Sequence, residues 1–324
     1  MEKINGVSSW KLTVQKNTDS VRILRAATCE KKAELPEVLF GRPVTCIADH
    51  AFDAGREVSE GEPIEICHGI SSGEFDNSRL ENLTIPETVT KIENYALIKC
   101  RSLKQLRLFD NIEYFGADIL MNCRKLTDIE LFRTSETQGD ALAYMVHSLT
   151  RELNVTVHEV DGSTKRLIFP EYYEMLTENE PTHFFNFTIE GGGYPYHSVF
   201  VKNRLNIDDF DALWEKYISG LYESHTALQL AWQRIRFPSE LSAAAEELYW
   251  KYLRDHLREA LLYAVNTDDR IGLQLLLKEP GLKESDISSV AETARIGKKT
   301  ELLALLLEKR HRTFSKSTGN SYDL

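Results

Sequence analysis

Gly69-Ile-Ser-Ser-Gly73 spells G-x-S-x-G just behind the apolar run Ile64–Cys67. A serine in that pattern is a hydrolase nucleophile when its turn joins a strand to a long helix. Here Glu74–Leu80 leads within a few residues to the next strand, and no βαβ units stand upstream, so no nucleophile is expected. Gly191-Gly192-Gly193 could cradle a phosphate, but no Gly-Lys-Ser/Thr follows and the next residues read as strand. The nine histidines include no HExxH and no pair at i, i+4 that would hold zinc. His183 and His197 stand near opposite arms of a hairpin expected around Gly192, yet that pairing sets His197 opposite Phe187. The acidic runs Glu57–Glu65 and Glu178–Glu180 are abundant carboxylates without an acid/base pair and read as solvated loops. Cys29, Cys46, Cys67, Cys100 and Cys123 are odd in number and lack a CxxC pair, which suits buried thiols better than disulfides or zinc. The expectation is a chain with no catalytic residue, no metal and no cofactor.

Aromatic residues offer a different chemistry, that of binding. HFFNFTIE-GGG-YPYHSVFV reads as two strands around Gly191–Gly193, and Tyr194, Tyr196 and His197, with Arg204 nearby, could stack on a peptide or a sugar. The competing reading is that these rings fill the core between the two halves of the chain. The sequons at Asn82, Asn154 and Asn186 matter only if the chain is exported.

The elements that position such residues show in an internal repeat. Aligning 81–100 with 104–123 matches Leu83 with Leu106, Ile85 with Leu108, Val89 with Ile112, Ile92 with Phe115, Ala96 with Ile119, Leu97 with Leu120 and Cys100 with Cys123. Leu106 and Leu108 recur as Ile129 and Leu131; backwards, Ile92 recurs as Ile70 and Ile47, and Leu97 as Phe75 and Phe52. Each unit is one short strand, a turn and a short helix or irregular stretch. A single unit cannot bury its apolar face, but stacked copies bury a continuous ladder, so residues 1–132 are expected to form a short solenoid. Strand positions between ladder residues then point outward. Thr84, Arg107 and Glu130, flanked by Asn82, Gln105 and Asp128, form either a polar recognition face or a merely solvated sheet.

The segments ELPEVLFGRPVTCIADHAFDA and LENLTIPETVTKIENYALIKCRSLKQLRL resemble the BspA-type leucine-rich repeat, Ile-Pro-x-x-Val-x-x-Ile-x-x-x-Ala-Phe-x-x-Cys-x-x-Leu. The unit spanning Gly55–Leu80 is degenerate and carries the acidic insert EVSEGEPIE. Trp10–Val14 and Ser20–Leu24 look like the hairpin that opens such arrays. The resemblance implies a binding or structural module and no catalyst.

FRTSETQGD marks a boundary after Leu131. A helix over 140–150 and a hairpin turning at Asp161-Gly162, with arms Leu153–Val160 and Lys165–Phe169, make 133–170 the expected cap of the solenoid. Residues 171–324 form the third part, an aromatic hairpin plus helices expected at 207–220, 224–236 and 239–265. The last of these starts near Pro238-Ser239, with a stripe at Leu241, Ala245, Leu248, Tyr252, His256 and Ala260. Ala264–Leu277 aligns with Ala294–Leu307 at a spacing of 30, which resembles degenerate ankyrin repeats. The second half also resembles the carboxy-terminal region of a group of bacterial leucine-rich-repeat proteins.

The fold class expected is α+β, a short leucine-rich-repeat solenoid followed by a mostly helical carboxy-terminal domain. The 324 residues carry a net charge of −11, with both halves acidic, which argues against nucleic acid or anionic lipid as partner. No apolar stretch reaches the 18 or so residues of a membrane span, and MEKINGVSSWKLTVQK lacks a secretory h-region, so membrane insertion is not expected and a bacterial cytoplasmic location is. The functional expectation is a non-enzymatic interaction or scaffold module with a protein partner. The alternative is an adhesin-like module for a surface ligand or carbohydrate. Oligomeric state is left open.

Overall fold

Apolar residues at every second position turn the amino-terminal half into short strands, each burying one side. The computed structural model describes residues 2–5, 8–53, 55–67, 73–136, 139–179, 184–220 and 224–314. The strands are β1 (Glu2–Asn5), β2 (Trp10–Lys16), β3 (Val21–Ala27), β4 (Lys32–Glu34), β5 (Val38–Leu39), β6 (Arg42–Ile47), β7 (Glu62–Cys67), β8 (Asn82–Thr84), β9 (Lys91–Ile92), β10 (Gln105–Phe109), β11 (Tyr114–Phe115) and β12 (Asp128–Phe132). Helix α1 (Ala141–His147) and strands β13 (Leu153–His158) and β14 (Thr164–Phe169) follow. One sheet runs β1-β7-β2-β3-β6-β9-β11 with β5 paired to β6, and the other runs β14-β13-β12-β10-β8-β4. These sheets are the two walls of a short solenoid, opened by the antiparallel hairpin β2–β3.

The 23-residue period is physical. Leu83, Leu106 and Ile129 are register partners in neighbouring parallel strands and all are buried, as are Cys100 and Cys123. The backbone repeats too: His50, Tyr95 and Asp118 share a left-handed conformation, with φ of 56°, 55° and 49°. Tyr95 N–H donates to Ala117 O at 2.9 Å and His50 N–H to Asn94 O at 3.0 Å, so corresponding turns bond from rung to rung.

One expected rung is absent from the stack. The column Ile92, Ile70, Ile47 is corrected, because Ile47 pairs directly with Ile92 across β6 and β9, and Phe52 N–H donates to Ala96 O at 2.9 Å. Residue 70 lies outside the described residues. The strand of the skipped unit, β7, leaves the array and pairs antiparallel with β2 and parallel with β1, burying Ile64 and Ile66. Its acidic surroundings cannot fill an interior rung, whereas two alternating isoleucines suit the open edge of β2, whose backbone groups need partners. The chain rejoins the array through buried Asn77. Its amide donates to Ala26 O (2.9 Å) and Phe52 O (3.0 Å) and accepts from Thr28 N–H (2.9 Å).

At the other end β13 adds to β12 as one more parallel strand, and β14 returns antiparallel through the turn at Asp161-Gly162. Helix α1 buries Ala141, Leu142, Ala143, Met145 and Val146. Next come β15 (Tyr173–Asn179) and β16 (Phe184–Glu190), α2 (Gly193–His197), β17 (Phe200–Val201), β18 (Arg204–Leu205), α3 (Ile207–Ala212) and α4 (Trp214–Ser219). The expected hairpin around Gly191–Gly193 is corrected: β16 pairs upstream with β15, so Phe187 faces Leu176 rather than His197. At Gly193 the chain enters a helical turn so close to Pro170 O that a Cβ would lie 1.9 Å from it.

The structure comprises two compact units, Met1–Gly220 and Leu221–Leu324. The second is helical: α5 (Ser224–Arg236), α6 (Ala243–Asp255), α7 (Leu257–Asn266), α8 (Arg270–Leu276), α9 (Glu284–Ile296) and α10 (Thr300–Phe314). The single helix expected over 239–265 is two helices, broken where His256 leaves helical geometry at φ −118°, ψ 38°. It starts at Ser242, whose hydroxyl caps Ala245 N–H, and its buried stripe is Ala245, Tyr249, Leu253, Leu257 and Ala260. The 30-residue spacing holds in the backbone. Asp268 and Lys298 are both left-handed, and Asp269 and Lys299 N–H donate to Ala264 O and Ala294 O, each at 2.9 Å.

Candidate interaction surface

Because β8, β10, β12 and β13 are parallel and in register, their outward residues fall into rows. Asn82, Gln105, Asp128 and Asn154 form one row, and Thr84, Arg107, Glu130 and Thr156 the next, all half-buried. The structure thus brings together the six solenoid residues singled out in the sequence. Glu130 is the hub. Its carboxylate pairs with Arg107 Nε at 2.8 Å and His158 Nε2 at 2.9 Å, and accepts from Gln105 Nε2 at 3.2 Å. Gln105 Oε1 in turn accepts from Asn82 Nδ2 at 2.5 Å.

A third row, Phe109, Phe132 and His158, was not among the sequence candidates. Phe109 and Phe132 lie tilted with ring centroids 5.2 Å apart, and Phe132 and His158 stack at 4.5 Å. The Arg107 guanidinium lies 5.3 Å from the Phe132 centroid. The signal was present: Phe109 is two residues beyond Arg107 on a strand, hence on the same side, and Phe132 follows 23 residues later.

Behind the aromatic row a line of ions ties successive rungs together. Asp110 pairs with Arg133 at 2.9 Å, Arg133 with Glu159 at 3.2 Å, and Glu159 with Lys165 at 3.0 Å. Burial pushes the Asp110 carboxyl above the usual carboxylate range, against the pull of Gly139 N–H and Arg133. The face above is therefore held rigidly. With Arg107 already neutralised by Glu130, it offers polar hydrogen bonding beside an aromatic ledge rather than a free cation.

The other four sequence candidates do not share a surface. Tyr194, Tyr196 and His197 lie on α2, while Arg204 is exposed on β18. Tyr196 is buried against Phe210 and Tyr217, with centroids 4.9 and 5.5 Å away. His197 is buried with Nδ1 3.0 Å from Val146 O and Nε2 2.9 Å from Pro170 O. Tyr194 stays half exposed and packs edge-on to Tyr172. Gly69–Ser72 of the G-x-S-x-G segment and His183 lie outside the described residues. Four cysteines are buried and Cys67 is half-buried, all as free thiols. Among the described residues no three His, Cys, Asp or Glu side chains converge as a metal ion would require.

The in-register rungs recur about every 23 residues. Residues 22–150 match the family described as BspA type leucine rich repeat region, in six copies. The BspA-type match thus takes in β8, β10, β12, α1 and the ladder of buried leucines, and stops short of β13. A leucine rich cell surface protein from Faecalibacterium prausnitzii A2-165, of known crystal structure, is 21% identical over 46% of this chain, with a TM-score of 0.27. This chain covers 41% of that protein's length. No curated protein matches the sequence significantly. Among the described residues no helix is long and apolar enough to cross a membrane.

Proposed function

We propose that this chain is a non-enzymatic interaction or scaffold module that binds a protein partner through the outward face of β8, β10, β12 and β13. The observation that carries the reading is the preorganised combination of the Glu130 network with the Phe109–Phe132–His158 ledge. Extended repeat surfaces suit a macromolecular partner better than an enclosed small molecule. Residues 133–170 act in this reading as the cap, and the helical pairs α7–α8 and α9–α10 act as an ankyrin-like second module. Five free thiols favour a reducing compartment such as the cytoplasm; cell fractionation tests that location. A second reading, a carbohydrate-binding adhesin-like module, rests on the aromatic ledge beside a carboxylate, since sugars stack on rings while their hydroxyls bond to such groups.

The test is quantitative affinity capture from the source cell with the full chain and with the variant R107A/F132A. The reading expects a defined protein that the wild type retains and the folded variant loses. Identical captures with the two baits, together with specific binding on a glycan array, would overturn it in favour of the second reading.

A further inference from the structure

The ribbon β15–β16 stands as a two-stranded sheet of its own. An isolated hairpin is marginal in water, so a ribbon with large exposed apolar residues calls for a cover. Register puts Glu174, Leu176 and Glu178 of β15 on the same side as Ile189, Phe187 and Phe185 of β16. Leu176, Phe185 and Phe187 are 67%, 61% and 59% exposed. Glu174 and Glu178 add two carboxylates to that side. Residues 167–201 contain five glutamates and neither lysine nor arginine.

We infer that this side of the ribbon docks an amphipathic helix of a partner protein that carries lysine or arginine along the borders of its apolar stripe. Phe185 to Ile189 spans about 14 Å of strand, which about nine residues of helix would cover. A helix is about 10 Å wide, enough to lie over both strands at their spacing of about 4.8 Å. The carboxylates alternating with Leu176 along β15 then meet one border of the helix, where cations improve both encounter and selectivity. An acidic helix, or an anionic membrane, meets repulsion at the same place. This surface is separate from the solenoid rows, so R107A/F132A leaves it intact and the two readings fail independently.

The probe is a fluorescein-labelled 18-residue helical peptide with leucines on one side and lysines along the borders, measured by fluorescence anisotropy against the full chain at physiological salt. A counterpart with glutamate in place of lysine serves as comparison. The lysine peptide is expected to bind and its counterpart not. The neutral variant L176N/F187N should weaken binding about tenfold or more, and E174Q/E178Q should weaken it less and flatten its salt dependence. Circular dichroism checks that the variants fold; should the double variant not fold, Phe185→Asn alone provides the same reading. Equal binding of the lysine peptide by wild type and L176N/F187N overturns the inference. A wild-type dimer that L176N/F187N converts to monomer in sedimentation overturns it too, since a second copy would then be the cover.

Discussion

Asn77 shows how much one side chain can hold. Its three hydrogen bonds reach backbone groups of two separate segments, and its own backbone is left-handed at φ 64°, a conformation asparagine tolerates better than most residues. Asn77→Ala leaves Thr28 N–H and the Ala26 and Phe52 carbonyls buried without that partner, and we expect a loss of about 2–4 kcal/mol. Urea denaturation of the variant would show it as a lower midpoint at unchanged slope; an unchanged midpoint would remove Asn77 from the account. His197 supplies a pH dependence. Burial pushes its imidazole below the ordinary value, outweighing the carbonyls of Val146, Pro170 and Leu149 that favour protonation, and burial lowers His147 in the same sense. The unfolded chain then binds more protons below about pH 6.5. Stability is complete above that value and declines as pH falls from there toward the depressed folded values. His197→Gln should reduce the stability difference between about pH 7.5 and 5.5, with His147 contributing in the same sense. A slope equal to wild type would refute the assignment.

At the scale of elements, stacking sets the demands. Gly116 passes so close to the preceding rung that a Cβ would sit 2.3 Å from Asn94 N and 2.5 Å from Glu93 C, both backbone atoms that cannot step aside. Gly116→Val should therefore separate β9 from β11 and cost about 2 kcal/mol or more, read as a drop in melting temperature with loss of amide protection at Gly116 and Tyr95. Hydrogen exchange like wild type at those amides would show that the rungs accommodate the side chain. Interior rungs with leucine, isoleucine and cysteine ladders were legible from spacing alone, because each buried position recurs with the strand. The same spacing misplaced the rung at 55–80, since periodicity marks which residues want burial and says nothing of what they are buried against. Ile64 and Ile66 satisfy their pattern equally well on the edge of β2.

The whole molecule divides after Gly220 into a β-rich unit and a helical one with its own core, including Trp232, Tyr249, Leu261 and Leu273. Residues 221–324 expressed alone should give a helical circular dichroism spectrum and a cooperative melt; a non-cooperative melt would show that this core is insufficient. By itself the sequence determined the α+β class, the period of 23, the outward polar rows from Asn82 to Glu130, the turn at Asp161-Gly162 and the helical pairs spaced by 30. Those are local properties, written in side-chain alternation and turn chemistry. Only the tertiary structure decided that β7 leaves the array, that β16 pairs backward with β15, that Tyr196 and His197 turn inward, and that His158 of β13 joins Phe109 and Phe132 beside Glu130. Each depends on which distant segment provides the partner. That choice follows from competition among all available edges and apolar faces, which no local pattern encodes.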